Sequence, residues 1–289
     1  MFLYIVSCLF LNFAIAQSGN KDKPIIKSID CYQVFDGKAH HYKTKYYNKK
    51  GQHIKSLRYK SSGNVTATYT YHENGKVAKY ISKNAAGVID YTAESIYKGD
   101  LKIESRITLE GGRMEKELMT YNEQGDLIQR KEIDIDGTVK EIETIDYKYD
   151  PTTGRKLISE LSEEKKGKKV LTEQTFYAYD DKGQIEGIIL KTIYMGTIYK
   201  AFTYHENGKM KQKVAVSFDN TERVVTNYNE AEERESEFIY RRKTKEDKYE
   251  FVQMNSWSYN QHGDLIGKKS KLGKKIVRAE EFKITYYEK

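Results

Sequence analysis

The stretch Tyr71-His72-Glu73-Asn74-Gly75-Lys76-Val77 returns as Tyr204-His205-Glu206-Asn207-Gly208-Lys209-Met210, with the string YHENGK intact in both. Looser copies share its logic of tyrosine, a polar corner, two polar residues, glycine, one polar residue and an aliphatic one. They are Tyr47-Asn48-Lys49-Lys50-Gly51, Tyr121-Asn122-Glu123-Gln124-Gly125-Asp126-Leu127, Tyr179-Asp180-Asp181-Lys182-Gly183-Gln184-Ile185 and Tyr259-Asn260-Gln261-His262-Gly263-Asp264-Leu265. Tyr149-Asp150 with Gly154 is lengthened by a residue, Tyr97-Lys98-Gly99 is shortened, and the copy at Tyr228 has lost its glycine. Self-similarity at a fixed spacing is the signature of a repeat architecture.

The motif glycines at 51, 75, 99, 125, 154, 183, 208 and 263 step by 24, 24, 26, 29, 29, 25 and 55, the last step spanning the eroded copy. Midway between them lie weaker turn signals: Gly63-Asn64, Gly87, Gly111-Gly112, Asp136-Gly137, Gly167, Gly196, Asp219-Asn220 and Gly273. Glycine, asparagine and aspartate supply the positive φ that tight hairpins demand, so each period reads as two strands and two turns. Large residues recur at the fourth and sixth positions before the glycine: Tyr69 with Tyr71, Tyr177 with Tyr179, Phe202 with Tyr204 and Trp257 with Tyr259. Spacing by two puts each pair on one side of a strand. The expected fold is therefore all-β, an elongated antiparallel β-meander of about nine degenerate two-stranded repeats of 24–29 residues. The charged stretch 230–248 sits where two strands belong and reads as a hairpin in preference to a helix.

Composition agrees with a thin fold. The 289 residues are 38% hydrophobic and 32% charged, with a mean hydropathy of -0.78. Twenty-five tyrosines exclude intrinsic disorder, and two prolines exclude collagen-like or proline-rich architectures. Residues 1–16, MFLYIVSCLFLNFAIA, carry no charge and end in Ala14-Ile15-Ala16. That fits a secretory signal, with the mature chain beginning at Gln17. Cys8 lies too early in the apolar run for a lipid-attachment site. Residues 17–40 read as a polar lead and first strand, and 41–289 as the repeat domain. Beyond the signal no apolar stretch reaches the ~20 residues of a spanning helix, so membrane spanning after cleavage is not expected. Cys31 is then the sole cysteine, which excludes an intrachain disulfide framework.

Chemistry-bearing motifs are sparse. His72 and His205 occupy equivalent turn corners, where polar residues are ordinary. His40 and His41 are adjacent, and adjacent strand residues face opposite ways. Glu132, Asp134, Asp136, Gly137 and Glu143 match most spacings of a calcium loop, yet Ile133 and Ile135 alternate as in a strand and Gly137 falls on a half-period turn, so the hairpin reading is preferred. Neither a nucleophile elbow nor a zinc or phosphate motif is present. The expectation is a non-enzymatic protein without cofactor or metal. The net charge of +8 permits attraction to anionic surfaces, but export argues against nucleic acid.

The motif resembles the repeats of the MORN-variant family of bacterial proteins, and its Tyr-Asp/Asn-x-x-Gly-x-Leu form is similar to YD repeats of the Rhs-like kind, from about Tyr46 to Leu272. The resemblance implies stacked antiparallel hairpins serving surface display, binding or toxin-associated roles. The expected function is an exported surface for binding or structural attachment at the cell envelope, in the periplasm, on the outer membrane or outside the cell. Its partner would be an envelope polymer, a glycan or a protein. Tyr69, Tyr71, Tyr177, Tyr179, Phe202, Tyr204, Trp257 and Tyr259 are the candidate binding residues, with Gly51, Gly75, Gly125, Gly154, Gly183, Gly208 and Gly263 setting the turns. Two alternatives are a toxin-neutralising or toxin-associated interaction module and a glycan-binding envelope protein.

Overall fold

The computed structural model describes residues 23–165 and 167–288; the signal-like stretch 1–16 and the start of the polar lead lie outside them. The strands are β1 (Ile26–Phe35), β2 (Lys38–Tyr47), β3 (His53–Arg58), β4 (Val65–Tyr71), β5 (Val77–Lys83), β6 (Ile89–Lys98) and β7 (Leu101–Leu109). They continue with β8 (Met114–Tyr121), β9 (Leu127–Asp134), β10 (Val139–Tyr149), β11 (Lys156–Lys165), β12 (Lys168–Tyr179), β13 (Ile185–Thr192) and β14 (Gly196–Tyr204). The last six are β15 (Met210–Val216), β16 (Glu222–Tyr228), β17 (Arg234–Arg241), β18 (Glu250–Tyr259), β19 (Leu265–Leu272) and β20 (Lys275–Tyr286). A 3-10 turn at Glu110–Gly112 links β7 to β8. The stretch 230–248 forms β17 and the turn into β18.

Each strand pairs antiparallel with its neighbours in sequence, and β1 also pairs with β20 from Ile26↔Tyr286 to Val34↔Ala279. The sheet is thus a closed 20-stranded up-and-down barrel. This corrects the open, elongated meander expected from the repeat. The physical reason is curvature. The motif tyrosine sits at a register shift in successive hairpins, between Tyr46/Tyr47, Thr70/Tyr71, Thr120/Tyr121, Ala178/Tyr179, Thr203/Tyr204 and Ser258/Tyr259 among others. A β-bulge bends and twists its strand. Bulges repeated at one end of every second hairpin bend the sheet the same way each time, until its first and last strands meet. Closure removes both free edges.

The motif explains its own turn. His72 N–H donates to Lys76 O (2.8 Å) and Gly75 N–H to His72 O (2.9 Å), with Gly75 at φ +82°. In the eroded copy Glu232 holds φ 65° and its N–H still reaches Asn229 O at 2.9 Å. The turn survives without its glycine because the flanking ladders impose it.

The wall is one layer thick. Among the described residues the buried apolar set is Ile26 (7% exposed) and Cys31 (2%), while the other buried side chains are small and polar, such as Thr44, Ser56, Ser105 and Thr226. The two faces differ in shielding. On β14, Tyr199, Ala201 and Thr203 are exposed while Lys200, Phe202 and Tyr204 are half-buried. On β20, Glu281, Lys283 and Thr285 alternate in the same way with Phe282, Ile284 and Tyr286. Side chains converge on the concave side of a curved sheet and diverge on the convex side, so the tyrosine-bearing face is the inner one. Twenty strands about 4.8 Å apart make a circumference of at least ~96 Å. In this size range barrels enclose a channel or a plugged lumen, whereas about eight strands can be filled by side chains alone.

Candidate functional site

The barrel wall has three features, the first two on its inner face. The first is a belt of tyrosine latches at the motif rim. The Tyr71 hydroxyl donates to His53 O (2.6 Å), Tyr121 to Lys102 O (2.8 Å), Tyr147 to Leu127 O (3.0 Å), Tyr179 to Lys156 O (2.9 Å) and Tyr204 to Ile185 O (2.7 Å). Each bond ties one hairpin to the one before it. Tyr287 does the same across the seam, donating to Tyr47 O at 2.6 Å. A second latch uses the motif's polar corners: Tyr149 donates to Asp126 (2.7 Å) and Tyr286 to Asp264 (2.8 Å), and Lys23 pairs with Asp264 at 2.9 Å.

The candidate residues from the sequence all lie on the inner wall, but in separate places around it. Tyr69 and Tyr71 are on β4, Tyr177 and Tyr179 on β12, Phe202 and Tyr204 on β14, and Trp257 and Tyr259 on β18. Tyr69 continues an aromatic row, 4.6 Å from His53 and 5.1 Å from Tyr80. Trp257 has Arg234 5.8 Å and Lys268 5.4 Å from its ring. These residues form a ring and not a single patch. Gly51, Gly75, Gly125, Gly154, Gly183, Gly208 and Gly263 all stand at positive φ in the motif-rim turns.

The second feature is a partition of charge. Glu115 and Glu117 on β8, Glu132 and Asp134 on β9, Glu141 and Glu143 on β10, Glu163 on β11 and Glu173 on β12 share the inner face by register. Within this sector Arg130 meets Glu143 at 2.7 Å and Glu117 at 3.7 Å. Lys140 meets Glu115 at 2.8 Å, Asp134 at 3.4 Å and Glu132 at 3.5 Å. Burial, helped by the charge of Glu143, raises the Glu173 carboxyl above its ordinary range. Roughly opposite, Lys43, Lys45 and Arg58 gather on β2 and β3. Burial and the charges of Lys45 and Arg58 lower the Lys43 ammonium. Burial together with Lys45 and Lys43 pushes the His53 imidazole down to about 4, and burial raises the Cys31 thiol against the pull of the same lysines.

The third feature is a polar cluster on the outer face, built from side chains of β1 and β2 that only strand pairing brings together. Thr44 donates to Asp30 at 2.7 Å, while His41 Nε2 lies 2.9 Å from Thr44 Oγ1 and 3.4 Å from Asp30. The residue types are those of a hydroxyl–imidazole–carboxylate triad, but the geometry is not. A triad histidine bridges nucleophile and acid through different ring nitrogens. Here both partners meet the same nitrogen, the hydroxyl proton is given to Asp30, and Thr44 is 3% exposed. The cluster fastens β1 to β2.

The remaining sequence candidates have local roles. His72 Nε2 lies 2.9 Å from Ser95 O, and His205 Nε2 lies 3.0 Å from Tyr228 O, so both repeat-corner histidines bind the next hairpin. The calcium-like spacing is a hairpin between β9 and β10. Asp136 accepts Thr138 N–H at 2.8 Å, while Glu132, Asp134 and Glu143 face the cations Lys140 and Arg130. Among the described residues no group of three His, Cys, Asp or Glu side chains is placed to hold a metal ion.

No family model and no curated protein matches the chain. Among solved structures it is similar to a porin-like protein from Bacteroides uniformis, at 10% identity over 91% of this chain and 98% of that one, with a TM-score of 0.37. A porin-like protein from Bacteroides vulgatus aligns at 7% identity over 91% and 99%, with a TM-score of 0.34. A TcdB2–TccC3–Cdc42 structure aligns at 11% identity over 91% of this chain, which spans 20% of that one, with a TM-score of 0.22. TM-scores this low bear on neither fold nor function, and these likenesses do not place the chain among MORN-variant or YD proteins.

Proposed function

We propose that the protein is an exported, non-enzymatic β-barrel that acts at the cell envelope by holding a glycan, an envelope polymer or a protein segment against its inner wall. The observation that carries this reading is a closed, single-layered wall whose inner face, among the described residues, has an acidic sector and a basic one. Such a wall attracts polar chains of either charge to opposite sides of one lumen. The aromatic ring offers flat apolar surface between the sectors. The Thr44–His41–Asp30 geometry supports the non-enzymatic reading.

The proposed barrel stands in water and not in lipid. Its outer face carries Lys79, Glu94, Arg106, Lys116, Lys131 and Lys191 within strands. A Lys or Arg on the lipid face costs about 2–4 kcal/mol at the bilayer midplane, so the sum is prohibitive for an embedded barrel.

The test is binding to an array of glycans and envelope polymers at physiological and high salt. Saturable binding of an acidic polymer that Lys43→Glu with Lys45→Glu abolishes supports the basic sector as its site. Binding lost in Trp257→Ala or Tyr204→Ala at high salt assigns the aromatic ring. Retention of nothing on the array, with a correctly folded barrel, contradicts the polymer and glycan readings and leaves a protein segment, sought by co-purification.

A further inference from the structure

The outer wall is not uniform. Over β4–β11 it mixes both charges with polar residues, as in Glu94 opposite Arg106 and Arg106 opposite Lys116, and sets its apolar residues beside charge, as in Ile133 opposite Lys116 and Leu118 opposite Lys131. Over β12–β18 the same face turns apolar. Phe176 faces Ile189, Ile189 faces Tyr199, and Tyr199 faces Val216. A second row runs from Val214 through Val225 and Phe238 to Met254. At the head of the second row, in register with Val214, Ala178, Gly187 and Ala201 leave a shallow trough. Tyr199 is 48% exposed there.

The apolar surface continues onto the rim opposite the motif turns. The β13–β14 tip carries Ile193, Tyr194 and Met195 at 59%, 59% and 51% exposure, and the next tip on that rim carries Phe218 at 52%. Turn tips ordinarily carry small polar residues, and contiguous exposed apolar surface marks an interaction site. No latch or ladder already described uses these side chains for closure.

Charge selects what covers this surface. In the paired registers of the outer face the cations bordering the apolar rows, Lys191, Arg223, Lys269 and Lys271, outnumber the acids Glu160 and Glu281. Lys191 reaches over the Phe176 ring at 5.0 Å. At the rim, Asp219 is bound by the Ser217 and Thr221 hydroxyls, both at 2.6 Å, and Glu163 lies 3.3 Å from the Tyr194 hydroxyl. Apolar tips beside cations match an anionic amphiphilic surface: apolar groups settle at the headgroup–acyl boundary while Lys and Arg meet the headgroups. A second copy would bring the same cations against themselves.

We infer that this apolar, lysine- and arginine-bordered sector, led by the Ile193–Met195 tip, docks the barrel on the surface of an anionic phospholipid bilayer. This does not depend on what the inner wall binds. The test is co-flotation of the chain from Gln17 onward, which holds every strand, with phosphatidylglycerol-containing and pure phosphatidylcholine vesicles at two salt concentrations. The expected result is binding to the anionic vesicles alone, weakened by salt. Ile193→Ser with Met195→Ser weakens it at least tenfold, Lys191→Gln with Lys269→Gln does likewise, and Lys116→Gln on the mixed-charge side leaves it unchanged. Far-UV circular dichroism melts confirm that each variant folds; if the tip variant does not, the lysine pair, which alters exposed charge only, decides the matter. Equal binding to both vesicles, no binding, or no effect of either pair overturns the inference. So does a dimer in light scattering that the tip variant dissociates without any vesicle binding, which would assign the face to a second copy.

Discussion

The two rims of the barrel are built from the same kind of hairpin yet differ in what lies between hairpins. At the motif rim, tyrosine hydroxyls cross from one hairpin to the backbone of the one before, as in Tyr71 to His53 and Tyr204 to Ile185. At the opposite rim the turns also use positive-φ glycines, such as Gly87 at +80° and Gly137 at +85°, but their tips carry large exposed apolar side chains at Ile193, Tyr194 and Phe218. The motif rim is stitched in a repeated pattern, while the other carries such ties at single tips, as where Tyr249 and Arg242 donate to Asn220 O at 2.9 and 2.6 Å. A thin wall without a core needs lateral ties in at least one layer, and the tyrosine belt supplies them.

The largest expected effect follows from breaking closure. Ending the chain at Leu272 removes β20 and leaves β1 and β19 as edges. Loss of a single cooperative unfolding transition, with self-association at the new edges, is expected in thermal melts and light scattering. A cooperative monomer would place stability in the latches alone.

Glycine substitutions compare the turns themselves. Gly75→Ala at the motif rim and Gly87→Ala at the other meet no close atom, only a positive φ. Each is expected to cost about 1–2 kcal/mol, equal within error in urea unfolding. A much larger cost at Gly75 would mean that the motif turn does more than turn.

The latches are where the rims should part. Tyr204→Phe keeps the ring but leaves Ile185 O without its donor, an expected loss of about 1 kcal/mol. Tyr194→Phe, on the exposed tip, should change stability by less than half of that. Equal losses would erase the distinction between the rims.

The last effect, confined to acid, is a pH dependence from His53. Its folded value of about 4 lies below the ordinary 6.5, so between those values the unfolded chain binds more protons. Stability contributed by the neutral, buried imidazole is complete above about pH 6.5 and is lost as pH falls toward 4. His53→Gln should flatten that part of the stability–pH curve. An unchanged slope would assign the acid sensitivity to the carboxylates of β8–β12.

Much of the local structure was legible from residues. The phrase around Gly75 and its copies located hairpin turns because a tight turn needs positive φ, and the alternation of Phe202 and Tyr204 located a shared face because strands repeat every two residues. Closure was not legible. It depends on small bends added at Tyr47, Tyr71, Tyr121 and their equivalents, and on the meeting of Val34 with Ala279, two residues that no local pattern links. The charge partition was hidden for a similar reason. Glu117 and Glu132, or Lys43 and Arg58, become neighbours only through strand register, while in the linear chain their charges look interspersed. The aromatic residues were found as a set, but their spread around a ring, with the tyrosine hydroxyls turned toward backbone carbonyls, required the barrel.

The central claim is that β1 and β20 meet. In a Cys31→Ser background, Gln33→Cys and Glu280→Cys place two thiols at directly opposed positions, where cross-strand spacing suits a disulfide. Mild oxidation of the dilute protein should give an intramolecular bond in a monomer, seen as a compact band that thiol reductant reverses. An open sheet would hold those positions roughly 90 Å apart at ~4.8 Å per strand and yield only free thiols or disulfide-linked dimers, which would contradict the closed barrel.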